Sequence, residues 1–479
     1  MARPILTKFL LTRLMIVAAS TLCVSSKLYA QDNSNAAKDR PNVLFIAVDD
    51  LNDWTGHLAG HPQAKTPNID RLVARGVTFT NAHCAAPACN PSRAALMSGL
   101  RPWETGIYTN ADPAQGVLRN TVTINRHFLA NGYKVKGGGK IYHNLGAEGR
   151  NDTWSDWVGL FPTAGGNVHN LNGLDKAHFD WGPIPAKTID MGDHKLTNWA
   201  IDQLQQPSDQ PLFLAVGYVK PHLPWFVPQE FYDRFPLEAI QLPIITENDL
   251  GDVPPAGRAM AKPDGDHAAV LKGDQWRKAV QAYLATISFL DDEVGRLLQG
   301  LENSPKAQNT IVVWWTDHGW HLGEKEHWRK FALWEEATRT SFAIAAPGVT
   351  QPGKRTGAAV DYTNMYSTLC ELTGLPIPEH VHGPSLLPLL KDPTAAWDHV
   401  AICTHGRGNH AARDARYRYI RYANGDEELY DHSGDPYEWT NIVKRSDMAE
   451  VKQRLAKSFP SSEVAATLPK VRKKANADE

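Results

Sequence analysis

Two apolar runs in this 479-residue chain each end in a pair of side chains able to hold a ligand. Val43 to Val48 ends in Asp49-Asp50, and Ile311 to Trp315 ends, after Thr316, in Asp317-His318. Unbroken apolar runs of this length are expected of parallel strands buried on both faces. The carboxyl edge of such a sheet is where open α/β proteins bind ligands. Three carboxylates gathered there repel one another unless a divalent cation lies between them. Oxygen-rich donors suit calcium or magnesium, and the single imidazole leaves room for zinc or manganese. Aspartate after a strand is also a common turn former, but two matching pairs in one chain favour the metal reading.

Cys89-Asn90-Pro91-Ser92-Arg93 opens a second candidate site, inside the Gly-closed segment Ala88 to Gly99. Pro91 followed by Arg93-Ala94-Ala95-Leu96-Met97 predicts a helix starting at or just after Pro91. Cys89 then lies at a helix N-terminus, where free N–H groups favour an anion. A lone cysteine is more often a core residue; Pro91 and Arg93 give this one its meaning. Lys140 and His143 follow the turn Gly137-Gly138-Gly139, His222 follows the apolar run Leu212 to Val216, and Lys330 lies past Asp317. Lysine and histidine brought to one point can stabilise developing negative charge and protonate a leaving group. Taken singly, each is an ordinary loop residue.

These residues need a scaffold, and the pattern of strand, loop and helix supplies one. Thr66-Pro67 opens a helix through Ile69 and Leu72 that closes near Gly76. Ala279 to Leu301 carries a helical period through Tyr283, Ile287, Leu290, Val294 and Leu297. Phe342 to Ala345 reads as another short core strand. The alternation predicts an α/β fold, a mainly parallel sheet sandwiched by helices. Asn144 to Gly192 and Thr246 to Asp274 read as long rim loops, with Trp154, Trp157, Trp181, Trp225 and Phe226 either facing a sugar or packing in the core. From Arg416 the alternation changes to that of antiparallel strands. A catalytic unit is therefore expected over 41–385 and a smaller α+β subdomain over 386–479.

Composition narrows the function classes. A net charge of -2 argues against a general nucleic-acid binder. Residues 1–30 combine a basic opening (Arg3, Lys8, Arg13) with an apolar stretch, Leu14 to Val24, short for a membrane span. This predicts a signal peptide, a disordered leader over 31–40, export to the periplasm or medium, and no stable membrane insertion. Four cysteines remain after such cleavage, with Cys370 and Cys403 a possible pair.

Cys-x-Pro-x-Arg is the signal by which a maturating enzyme oxidises cysteine to formylglycine in type I sulfatases, and the chain resembles that family. The strings Gly-Lys-x-x-His, Ala-Val-Gly-Tyr-x-Lys-Pro-His-x-Pro and Asp-His-Gly-Trp-x-Leu-Gly-Glu are similar to those of its iduronate-2-sulfatase branch. The resemblance implies an alkaline-phosphatase-like fold and a sulfated carbohydrate substrate, such as a 2-O-sulfated uronic acid. It implies Asp49, Asp50, Cys89, Asp317 and His318 around one calcium ion, with magnesium second. It implies formylglycine at Cys89, whose hydrate attacks sulfur, and Arg93, Lys140, His143, His222 and Lys330 as catalytic or sulfate-binding groups. A formylglycine-generating enzyme is then a partner. Two departures stand out. His318 replaces the Asn of many members, and Met97-Ser98-Gly99-Leu100 replaces the usual Leu-Thr-Gly-Arg, with Arg101 shifted by one. The competing readings are a related phosphatase or phosphodiesterase, and a non-catalytic carbohydrate-binding relative.

Overall fold

The computed structural model describes residues 40–143, 153–163 and 168–467. The expected signal peptide, nearly all of the leader and the end of the tail lie outside them. No helix among the described residues is long and apolar enough to cross a membrane.

Eight strands form the main sheet: β1 (Asn42–Val48), β2 (Val77–Phe79), β3 (Lys134–Gly139), β4 (Asp156–Val158), β5 (Leu212–Tyr218), β6 (Thr310–Thr316), β7 (Phe342–Ala345) and β8 (Lys354–Thr356). Their order is β8-β2-β7-β6-β1-β5-β3-β4. β1 lies at the centre, parallel to β5 on one side and β6 on the other. Successive β1 residues alternate between two cores. Leu44, Ile46 and Val48 face one; Val43, Phe45 and Ala47 face the other. Both faces being covered explains why the run carries no polar residue. Each fully buried side chain of this size contributes about 1.5–3 kcal/mol.

Helices cover both faces. On the first lie α1 (Pro67–Val73), α3 (Gly192–Gln205) and the 27-residue α4 (Trp276–Glu302); on the second lie α2 (Cys89–Ser98) and α5 (Asn364–Thr373). A second sheet, the antiparallel meander β9 (Ala401–Thr404), β10 (His410–Arg413), β11 (Tyr417–Arg421) and β12 (Glu427–Asp431), packs its Ile402, Tyr419 and Leu429 under α6 (Ala449–Ala456). Leu386, Leu389 and Leu390 join the core of the large sheet.

Several expectations change. β7 runs antiparallel to β6 and β2, so the sheet is mixed at that edge; a four-residue apolar run carries no sign of direction. Residues 246–274 contain two short helices, Pro255–Ala261 and Asp266–Lys272. Trp154, Trp181 and Trp225 are core residues, at most 4% exposed. Cys403 does not face Cys370. Its Sγ lies 3.7 Å from that of Cys84, and all four cysteines of the described residues are unbridged.

Candidate functional site

The register of the central strands builds the site. Val48 pairs with Tyr218 on one side and Thr316 on the other, so β1, β5 and β6 end level. Asp49 and Asp317 follow directly, and the Asp317 N–H donates to Val48 O at 3.0 Å. Asp50 turns away from the strand with φ at 61°, a conformation costly for a residue other than glycine. Two bonds hold it there. Its N–H donates to Asp317 Oδ1 at 3.1 Å, and its carbonyl accepts from the Tyr283 hydroxyl of α4 at 2.7 Å. Asp49, Asp50, Asp317 and His318 are all within 1% of full burial.

α2 begins at Cys89 itself, two residues earlier than the sequence suggests. Ala88 is extended, its carbonyl accepts from the Ser92 N–H, and Pro91 falls in the first turn, where no N–H is needed. Cys89 Sγ therefore points from the helix N-terminus at the strand tips. It lies 3.3 Å from Lys330 Nζ, 3.4 Å from His318 Nε2, and 3.9 Å from both Lys140 Nζ and Asp50 Oδ1. One ligand atom each from Asp49, Asp50, Cys89, Asp317 and His318 lies within 4.8 Å of all the others.

Three cations face three carboxylates. Arg93 is fully buried. Its Nη2 meets Asp49 Oδ1 at 3.1 Å, its Nε meets Asp317 Oδ2 at 2.9 Å, and Nη1 donates to the carbonyls of Lys140 and Ile141. Lys140 Nζ pairs with Asp49 Oδ2, and Lys330 Nζ with Asp50 Oδ1 at 2.7 Å. Glycine lets Lys140 come so close. A side chain on Gly217 would strike the Lys140 backbone at 2.4 Å.

Burial pushes the Asp49 carboxyl up, but Lys140, His222 and Arg93 outweigh it and hold it well below the usual range. Asp50 is held below its usual value against burial by His222 and Lys330. His222 itself is brought down to about 4 by burial, so at neutral pH the cation that balances Asp50 is Lys330. Asp317 stays raised because burial outweighs Arg93 and His318. Burial also pushes the Cys89 thiol far up, despite Lys140 and Lys330. An unmodified Cys89 is thus a protonated thiol, a poor nucleophile.

The donor set fits a cation. Asp50 Oδ2 is buried with no hydrogen-bond partner, a cost normally met by a ligand or ion. His318 Nδ1 lies 3.0 Å from the Gly319 carbonyl, so it carries the ring proton. Its Nε2 faces Cys89 Sγ, Asp50 Oδ1 at 3.4 Å and Asp317 Oδ2 at 3.5 Å. In the neutral ring that nitrogen offers a lone pair among acceptors, the arrangement a metal satisfies.

His222 Nδ1 donates to the Leu223 carbonyl, leaving Nε2 3.7 Å from Asp50 Oδ2. His143 Nδ1 is buried without a hydrogen-bond partner; burial and Lys140 bring its imidazole down to about 3. Sequence reading missed Asp193, in the first turn of α3. Its carboxylate accepts the N–H groups of Val219 (3.1 Å) and Lys220 (2.8 Å), anchoring the loop that carries His222. It also missed His178 and Arg329, which line a slot with Asp50, His222, Trp320 and Lys330. No local pattern marks any of the three.

Asp193 gives a pH signature. Burial raises its carboxyl to about 6, against about 3.9 for a free aspartate. Between these values the unfolded chain loses a proton that the folded chain keeps, so stability falls as pH climbs from about 4 to about 6. The size is on the order of 2 kcal/mol. Asp193→Asn should remove that slope. Urea midpoints of variant and wild type are expected to converge or cross with rising pH; a constant offset from pH 4 to 7 excludes the assignment.

A mainly parallel sheet whose strand tips bring carboxylates, an imidazole and a thiol to one buried point, ringed by cations, is suited to a hydrolase for anionic esters. Comparison with known proteins gives the family. The sulfatase profile matches residues 41–375, and the profile of the N-sulphoglucosamine sulphohydrolase C-terminal region matches 323–464. A sulfatase from Formosa agariphila is 41% identical, covering 84% of this chain and 83% of its own. Mouse iduronate 2-sulfatase is 31% identical over 81% of this chain and 76% of its own. A solved structure bound to its substrate, D-glucosamine-2-N,6-O-disulfate, superposes with a TM-score of 0.72 at 20% identity, covering 88% and 96% of the two chains. The chain belongs to the sulfatase family, enzymes that hydrolyse sulfuric esters.

Proposed function

We propose that the protein removes sulfate from an acidic sugar, with Cys89 converted to formylglycine and one calcium ion held by Asp49, Asp50, Asp317 and His318 beside it. The single observation that carries this reading is the convergence on Cys89 Sγ of two lysines, an imidazole and a carboxylate, all within 3.9 Å. A thiol so buried is inert as a base or nucleophile; an aldehyde hydrate at the same place supplies a hydroxyl nucleophile. A calcium ion there supplies Lewis-acid polarisation of a sulfate oxygen.

Charge counting supports an anionic substrate. Asp49, Asp50 and Asp317 are balanced one for one by Arg93, Lys140 and Lys330. A divalent cation leaves the pocket with two positive charges in excess. Lys140 and Lys330, which flank Cys89, then meet sulfate oxygens and the charge growing on the leaving oxygen. His222 and His143 are neutral until an anion arrives, and a neighbouring anion raises an imidazole's proton affinity. His222 or His143 is thereby readied to hand a proton to the departing sugar oxygen. Arg93 acts on Asp49 and Asp317, fixing their direction.

Export, cleavage of residues 1–30, action of a maturating enzyme on Cys89 and division into units 41–385 and 386–479 belong to the same proposal. The mouse relative's name, iduronate 2-sulfatase, supports a 2-O-sulfated uronic acid as first substrate to test. Protein co-expressed with a formylglycine-generating enzyme should hydrolyse an aryl sulfate much faster than the matching aryl phosphate, and a 2-O-sulfated uronate faster still. A preference for phosphate refutes the proposal.

A further inference from the structure

Lys330, whose Nζ stands 3.3 Å from Cys89 Sγ and 2.7 Å from Asp50 Oδ1, sits on a backbone of costly shape. Its neighbours Arg329 and Phe331 have φ of 74° and 71°, and Lys325 and Glu326, in the turn before them, have 55° and 48°. None is glycine, and this left-handed region is one that residues with side chains avoid. Such strain persists only where the surroundings over-determine it, and it gathers at working sites. Whatever grips this segment therefore also sets where the Lys330 ammonium lies.

Part of the grip lies on either side of the lysine. A short antiparallel ladder pairs Leu322 with Trp328 and His321 with Arg329, and Lys325 Nζ meets Asp249 Oδ1 at 2.6 Å. The Phe331 N–H donates to Pro87 O at 3.0 Å, two residues ahead of Cys89. The peptide of Lys330 itself is met by His327. That ring is buried, with Nε2 2.6 Å from Lys330 O and Nδ1 2.7 Å from Ala261 O. Ala261 ends the short helix Pro255–Ala261, where a carbonyl has no partner within the helix. One imidazole thus ties a helix end to the backbone of Lys330. Burial brings the imidazole below its usual value, while the two carbonyls and the charge of Asp266 push the other way. A neutral ring has one N–H for the two carbonyls, and an imidazolium has one for each. In both forms Nε2 can donate to Lys330. The ring also packs against that of His321, centroids 4.9 Å apart; a phenyl ring would keep this packing and lose both bonds.

We propose that His327 is a positioning residue for the sulfatase reaction: its Nε2–H holds the Lys330 carbonyl, and through it the ammonium that faces Cys89. The inference rests on the role given to Lys330 above and adds what keeps that lysine in place. His327 touches neither Cys89 nor the sulfate in this reading. It acts only through the strained peptide, so its effect should vanish once Lys330 is gone.

The test is a double-mutant cycle on the full chain, with nitrophenyl sulfate as substrate. His327→Phe should lower kcat roughly tenfold or more, the scale on which small displacements of a reacting group are felt. His327→Gln can place an amide N–H where Nε2 stood and should recover much of the loss. His327→Asn can reach only the Ala261 side and should not. In a Lys330→Ala background, His327→Phe should add little further loss, because residues that act as a unit are not additive. Losses that simply multiply, or a glutamine variant as poor as phenylalanine, would mean that the ring serves the fold at large and would overturn the proposal. Hydrogen exchange read by mass spectrometry tests the same link without turnover. The Phe331 amide should exchange faster in His327→Phe than in wild type and keep its protection in His327→Gln. Equal protection in the phenylalanine variant overturns the proposal too. Wild type inactive on every sulfate ester would instead defeat the hydrolase reading, while the exchange data would still decide whether His327 holds the Lys330 segment.

Discussion

Cys89→Ala is expected to lower kcat on any sulfate ester by roughly 10⁴-fold or more, the scale seen when a covalent nucleophile is removed. The fold should survive. Cys89 is completely buried at the first position of α2, and alanine is a good helix former. The loss of one sulfur atom leaves a small void beside Lys330, His318 and Lys140, costing about 1 kcal/mol. Chemistry, not stability, should therefore report the change. Cys89→Ser is the sharper control. It keeps a hydroxyl at the same place but has no aldehyde to hydrate and no internal route for expelling sulfate. It should be almost as inactive as alanine. Mass analysis of the wild-type peptide should find the sulfur gone and an aldehyde in its place. A wild-type protein that carries only the thiol yet turns over an aryl sulfate, or an alanine variant keeping about a tenth of the rate, would remove Cys89 from the chemistry.

How much of this was legible beforehand depended on how local each signal is. The Asp49-Asp50 and Asp317-His318 pairs could be read because each follows an unbroken apolar run, Val43 to Val48 and Ile311 to Trp315. Two such strands beside one another must bring their tips together. Cys89 could be read from its neighbours. The direction of β7 could not, since Phe342 to Ala345 looks the same either way; its antiparallel pairing comes from how the chain returns after Lys330. The tryptophans of the rim were ambiguous because an aromatic ring suits both a sugar and a core, and packing decided for the core, Trp181 and Trp225 on the α4 side of the sheet and Trp154 on the other. Asp193, His178 and Arg329 act at a distance in the chain. Asp193 binds backbone 26 and 27 residues away, and His178 and Arg329 meet only when two loops fold over the same edge. The possible Cys370–Cys403 pair failed for a like reason. Spacing says nothing of which strand lies opposite, and β9 lies beside the segment of Cys84.

Arg93→Ala should be the most destabilising single change at the site, and calcium should repair part of the damage. Arg93 is buried without exposure between Asp49 and Asp317 and lies over the Trp315 ring. Removing one partner of a buried ion pair costs about 3–5 kcal/mol, because the remaining charge has neither water nor counter-ion. Here two carboxylates are left, with only Lys140 and the more distant Lys330 to balance them. A divalent cation is the other group that can neutralise Asp49 and Asp317. A bound ion adds stability as RT ln(1 + [L]/Kd). Without Arg93 the site is more negative, so calcium should bind the variant with a larger gain than it gives wild type. Thermal melts of both proteins in chelator, in excess calcium and in excess magnesium should show this. The variant should melt far lower in chelator, the gap should narrow in calcium, and magnesium should narrow it less, because it sheds its water shell reluctantly. Identical calcium shifts in the two proteins would place the ion elsewhere. Three acids at the tips of β1 and β6 need positive charge, and Arg93 and a bound divalent cation are two ways of supplying it.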